Sequence, residues 1–279
     1  GKTKYKITVE LLPEVEANTT ALSKYANIHG IERGILGDEL IENMKRKGIY
    51  NRYEAEIKDI YGRKLYDGVS LGEHDYNHIK MVLLNSMYMA DELGLSVNDM
   101  NLLIESAKYH DSGLKYSKHQ NHSIVSASVA ENNLKGKYSD YDVAKIKSII
   151  EYHEGNEGMD IIRNICNKNG IYDDEEIGNI LKISNILRDA DGMDFARFPG
   201  KLNVEFYRNK DVANSITSAS FDLRDKIAAT NLENRLNQLI SENNISVYNE
   251  LQSLINTEKY PDYIIYFAER YYKIRGFSS

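Results

Sequence analysis

Six of the seven histidines, His74, His78, His110, His119, His122 and His153, fall within 80 residues of a 279-residue chain. Several stand where an apolar side chain would be expected. His78 shares a helical face with Val82, His122 is in register with Val125 and Val129, and His153 with Val143, Ile146 and Ile150. Asp191 closes a stripe of Ile177, Ile180, Ser184 and Leu187. Each polar side chain continues the inward stripe of its own helix. Burying imidazoles and a carboxylate together is costly without compensation. A shared metal ion removes that cost, and imidazole is the commonest side chain for binding transition metals.

The helical pattern runs from about 75 to 197. Ile79, Val82, Leu83 and Met87 recur at helical spacing, as do Met100, Leu103, Ile104 and Ala107. Ser96 with Asp99 forms a capping box that opens the second of these helices, which ends near Asp111-Ser112-Gly113. A third helix is expected from about 120 to 134, a fourth from Asp140, and a fifth from about Asp173 to Asp191. Only three prolines interrupt the chain. Residues 4–12 read as a short strand or extended arm, and 15 to about 65 as helices broken near Gly30, Gly34, Gly37 and Gly48. Residues 220–275 read as two or three helices, one carrying Leu232, Leu236 and Leu239, with Tyr260 to Tyr272 as a packed helix. The class is therefore all-α. Its expected parts are a mostly helical N-terminal cap (1–70), a core (71–215) and C-terminal helices packed on it (216–279).

Charge narrows the function classes. The net charge is -7, and no basic patch of the kind a general nucleic-acid binder needs is visible. A small phosphorylated substrate met by local positive charge suits this balance. One cysteine, Cys166, excludes a disulfide framework and a cysteine-rich zinc site, so a reducing cytoplasm is the default location. No apolar run approaches the ~18 residues of a membrane span. Gly1 in place of methionine points to a domain cut from a longer protein, and a homo-oligomer is possible. Cys166 and His29 read as structural.

His110-Asp111 ends an apolar helix, where adjacent side chains reach one metal from two directions and a carboxylate can bridge two ions. The order His78, His110-Asp111, Asp191 resembles the signature of the HD superfamily of metal-dependent phosphohydrolases. The strings His-Ile-Lys-Met-Val, Ala-Lys-Tyr-His-Asp-Ser-Gly and Arg-Asp-Ala-Asp-Gly-Met-Asp carry it. The surroundings of His122 and His153 resemble the extra histidine positions of members that hold two metals. The similarity spans roughly residues 71–200 and implies an HD-domain helical bundle.

That resemblance implies one metal held by His78, His110, Asp111 and Asp191. Asp189 is the rival for Asp191, and helical register favours Asp191; Asp189 and Asp194 read as structural or supporting carboxylates. His122 and His153 would join Asp111 around a second ion, or else contact substrate phosphate directly. His74, one turn before His78, would contact phosphate or protonate the leaving group. Arg197 is the favoured catalytic cation, Lys115 and Arg188 are further phosphate partners, and Arg208 is a weaker one. His119 belongs near the mouth of the site.

One or two divalent ions are implied: Mn²⁺, Fe²⁺, Co²⁺, Ni²⁺ or Zn²⁺ in preference to a pure Mg²⁺ site. The expected activity is hydrolysis of a phosphate ester of a nucleotide or nucleotide-like substrate. Three alternatives stand beside it: a phosphodiesterase on an ADP-ribosyl or nucleotide diphosphate linkage, similar to the SidE domain; a nucleotide-sensing HD module without turnover; and a helical interaction protein.

Overall fold

The computed structural model describes residues 34–69, 74–117, 121–197 and 202–243, with 245, 246 and 249. The expected arm at 4–12, His29, His119 and the Tyr260 to Tyr272 helix lie outside the described residues. Nine α-helices lie among the described residues: α1 (Gly37–Arg46), α2 (Tyr50–Gly62), α3 (Tyr76–Glu92), α4 (Val97–Tyr109), α5 (His122–Leu134), α6 (Asp140–Tyr152), α7 (Met159–Lys168), α8 (Asp174–Met193) and α9 (Lys210–Ser241). Short 3-10 turns follow α4 at Ser112–Lys115 and α8 at Asp194–Arg197. No strand occurs among the described residues, so the chain is all-α.

The caps explain where these helices start. Asp75 accepts the backbone N–H groups of Asn77 (2.9 Å) and His78 (3.1 Å) and so fixes His78 in the first turn of α3. Ser96 accepts from the Asp99 backbone and donates to its carboxylate, as the sequence predicts. Ser139 caps α6 in the same way, and the Asp173 carboxylate accepts the Glu176 backbone N–H to cap α8.

Helix α3 is the axis of the bundle, with Ile79, Val82, Leu83 and Met87 fully buried. It packs against α2, α4, α8 and α9. The expected stripes of α4, α6 and α8 all face this core: Leu103, Ile146, Ile150, Ile180 and Leu187 are inaccessible to solvent. Each such side chain contributes about 1.5–3 kcal/mol of burial free energy.

Four elements differ from the sequence expectation. Helix α7 was not anticipated, although Ile162 and Cys166, four residues apart, are both buried. The expected C-terminal helices begin as one 32-residue helix, α9, and the boundary anticipated at 215/216 falls inside it. His74 precedes α3 instead of sitting a helical turn before His78. His153 lies just past the end of α6, as its C-cap.

Two glycines mark close approaches. A Cβ on Gly34 would lie 2.3 Å from the Ser215 carbonyl oxygen on α9, where the Ile35 N–H donates to the same oxygen. A Cβ on Gly113 would lie 2.5 Å from the His122 carbonyl oxygen and 2.6 Å from the Ser126 nitrogen. Gly113 therefore lets the turn after His110-Asp111 press directly onto α5.

Candidate metal centre

Helix ends meet at one place. His78 comes from the first turn of α3, His110 from the C-cap of α4, and Asp111 from the start of the following 3-10 turn. His122 opens α5, His153 closes α6, and Asp191 sits in the last turn of α8. His78 and His110 are fully buried and Asp111 is 2% exposed.

Asp111 stands at the middle. Its Oδ2 lies 3.2 Å from His78 Nε2 and 3.3 Å from His110 Nε2. Its Oδ1 lies 2.9 Å from His122 Nε2 and 3.5 Å from His153 Nε2. Asp191 Oδ1 completes the first set, 3.3 Å from His78 Nε2 and 3.9 Å from His110 Nε2. The ligand atoms of His78, His110 and Asp191 lie within 4.8 Å of one another, as do those of Asp111, His122 and His153.

The far nitrogens decide what occupies the middle. His110 Nδ1 is 2.9 Å from the Ala107 carbonyl oxygen, and His153 Nδ1 is 2.6 Å from that of Ile150. His78 Nδ1 is 2.7 Å from Asp194 Oδ2, and His122 Nδ1 is 3.2 Å from Glu154 Oε2. All four partners are acceptors, so each Nδ1 carries the proton and each Nε2 turns a lone pair inward. His78 Nε2 then faces His110 Nε2 at 3.3 Å, and His122 Nε2 faces His153 Nε2 at 3.3 Å, among carboxylate oxygens. Lone pairs so arranged repel unless a cation lies between them. For a metal at the usual ~2.0–2.2 Å from nitrogen or oxygen, ligand atoms sit about this far apart. The donor set therefore fits a divalent metal.

The electrostatics agree. Burial pushes the Asp111 carboxyl up, but the charge and hydrogen bond of His110, with the bonds of His122 and His153, hold it well below the usual carboxylate range. Burial likewise raises Asp191, but the bond from His78 with the charges of His110 and His78 outweighs it and holds the carboxyl below its usual range. Burial and Arg197 push the His78 imidazole down, yet its bonds to Asp111, Asp191 and Asp194 raise it to about 10. This position demands a positive charge, whether proton or metal ion.

His74 differs from the other four. It turns Nδ1, not Nε2, toward the centre, 2.6 Å from Asp111 Oδ2, and its side chain stays 25% exposed. Asp191 is 27% exposed, so solvent reaches the centre from the His74 and Asp191 side.

Asp189 and Asp191 have different partners. Asp189 is fully buried and accepts the backbone N–H groups of Arg208 (2.9 Å) and Asn209 (2.8 Å), away from the histidines. Asp194, also fully buried, supports His78.

Among the expected phosphate-binding cations, the three arginines are held by the protein's own oxygens, whereas the lysine is exposed. Arg197 is 4% exposed and donates Nη1 to the Asp194 backbone oxygen (2.8 Å) and carboxylate (2.9 Å). Arg188 donates to the Tyr152 carbonyl oxygen, the Gly155 carbonyl oxygen (2.8 Å) and Glu157 (3.2 Å), clamping the loop that carries His153. Arg208 binds Asp189 and Glu157. Lys115 is exposed, with Nζ 3.3 Å from the Lys64 carbonyl oxygen. Sequence reasoning overlooked Glu154 and Arg224. The signal for Arg224 was present: Ile216, Ser220 and Arg224 follow one another at four-residue spacing on one face of α9.

The fold and this cluster define a helical domain built around a histidine–aspartate cluster that fits a metal ion. Residues 75–196 match the family model of the HD domain. No curated protein and no solved structure matches the chain. No helix among the described residues is long and apolar enough to cross a membrane.

Proposed function

We propose that the chain hydrolyses a phosphate ester of a small, nucleotide-like substrate with one or two divalent metal ions. One observation supports this most: the two oxygens of a single buried carboxylate, Asp111, face two separate donor sets. Ions held by His78, His110, Asp111 and Asp191, and by Asp111, His122 and His153, would supply Lewis acidity toward a phosphoryl oxygen and lower the pKa of water.

The chain's own groups do the rest. The Asp111 carboxylate orients the His74 imidazole through Nδ1, and the exposure of His74 suits it to protonate the leaving oxygen. Lys115 is our candidate to meet substrate phosphate, a role its exposure at the end of the turn that follows Asp111 supports. His119 keeps its proposed place at the mouth on the sequence alone. Arg197 and Arg188 act indirectly, through Asp194 and through the loop bearing His153.

The test is elemental analysis of the purified protein, then turnover of bis-p-nitrophenyl phosphate and of a panel of nucleotides and ADP-ribosyl diphosphates. Double replacement of His110→Ala and Asp111→Ala should abolish bound metal and turnover together. A chain that binds no metal and melts identically with and without chelator sinks the reading. Tight nucleotide binding without turnover in metal-loaded protein favours the sensing module instead.

A further inference from the structure

Helix α9 lies outside residues 75–196, and none of the metal-binding strings includes it. Yet Arg224 on this helix is 5% exposed and grips Asp194 with both ends of its fork. Arg224 Nε lies 2.7 Å from Asp194 Oδ1, and Nη2 binds Oδ2. The same Oδ2 accepts the His78 Nδ1 proton at 2.7 Å. A two-pronged guanidinium–carboxylate bond fixes the plane of the carboxylate as well as its position. The Asp194 plane in turn sets the direction in which the His78 Nδ1–H must point.

Arg197 also holds Asp194, but from the same 3-10 turn, three residues on, so it moves with that turn. Arg224 comes from a separate helix. That helix is tied to α3 by Ser220 on Asn85 (3.2 Å) and to the segment before α1 by Ser215 on Ile35. It therefore references Asp194 to the body of the bundle. Asp194 caps α8 three residues after Asp191, so the same grip steadies a second ligand.

We infer that Arg224 is a positioning residue of the metal centre: it locks Asp194, and through it the His78 ring, in the orientation that presents Nε2 to the ion. This rests on the metal-dependent reading above.

The test measures metal affinity in the full chain by chelator competition, beside the visible spectrum of the Co²⁺ form. Loss of a partner that orients a ligand weakens metal binding about ten- to a hundredfold. Arg224→Gln should show that loss and an altered Co²⁺ spectrum, with a melting point at saturating metal near that of the wild type. Arg224→Lys, which keeps the charge but not the fork, should fall between the two and serves if the Gln variant does not fold. Lys226→Gln, on the same helix and bound to Asp38 and Asp222, should match the wild type. Wild-type affinity and spectrum in every Arg224 variant that folds would overturn the inference, as would an equal loss in Lys226→Gln. A wild type that binds no metal removes the metal-dependent reading, and the inference with it.

Discussion

At the scale of the residue, Gly113 shows how a side chain that is absent can shape a metal centre. The atoms nearest its missing Cβ are backbone atoms of His122 and Ser126, and backbone cannot swing aside. Gly113→Ala must push α5 away from the turn after Asp111. We expect a loss of about 1–3 kcal/mol in unfolding free energy by denaturant titration. Binding of the proposed ion between Asp111, His122 and His153 should also weaken, read as reduced metal stoichiometry. Wild-type values for both would contradict this account of the glycine. That these histidines and aspartates would gather inside the bundle was legible from the sequence, because each polar side chain interrupts an apolar stripe where water cannot follow. The partners of Arg197 and Arg188 were not. A sequence shows that an arginine is near a ligand, but not which oxygen it has already taken.

At the scale of the element, α2 joins α4 through charge. Lys108 is 1% exposed, with its Nζ 2.7 Å from Glu56, 2.6 Å from Asp59 and 3.1 Å from Glu105. Two of these carboxylates stand on α2, and Lys108 lies two residues before His110. Burial raises the Asp59 carboxyl, but the bonds from Lys108 and Arg63 outweigh it and lower it below 3.8. A carboxyl depressed in the folded state stabilises the fold above its unfolded pKa and loses that contribution as pH falls. Asp59→Asn should therefore cost about 1–3 kcal/mol near neutral pH. The gap to the wild type should close as pH drops below 3.8. A gap unchanged down to the acid limit would mean that Asp59 contributes by shape and not by charge. The sequence suggested helices here, broken at Gly48 as observed, but the partner of a buried lysine some fifty residues away leaves no periodic trace.

At the scale of the whole molecule, the family-matched segment is smaller than the structural unit. Residues 75–196 lack Glu56 and Asp59, which neutralise Lys108, and Arg224, which holds Asp194. They also lose α9 from the face of α3. Breaking a buried ion pair costs about 3–5 kcal/mol, against a total stability of about 5–15 kcal/mol for a domain. The isolated segment should show no cooperative melting by circular dichroism at a temperature where the full chain remains folded. A sharp transition matching the full chain would show the additions to be dispensable. The all-helical class and the central core were readable because 3.6-residue periodicity is local. The reach of α9 back to the metal centre was not, because it depends on how whole helices lie across one another.

All six metal-facing residues stand at or near the end of a helix. Helix length thus becomes a ruler. One residue inserted into the body of α4 would turn everything beyond it by about 100° and advance it about 1.5 Å, swinging His110 out of reach of its neighbours. Exchanging an outward side chain on the same helix would leave that ruler untouched. Such a scaffold tolerates wide drift in surface composition and almost none in the number of residues between its corners.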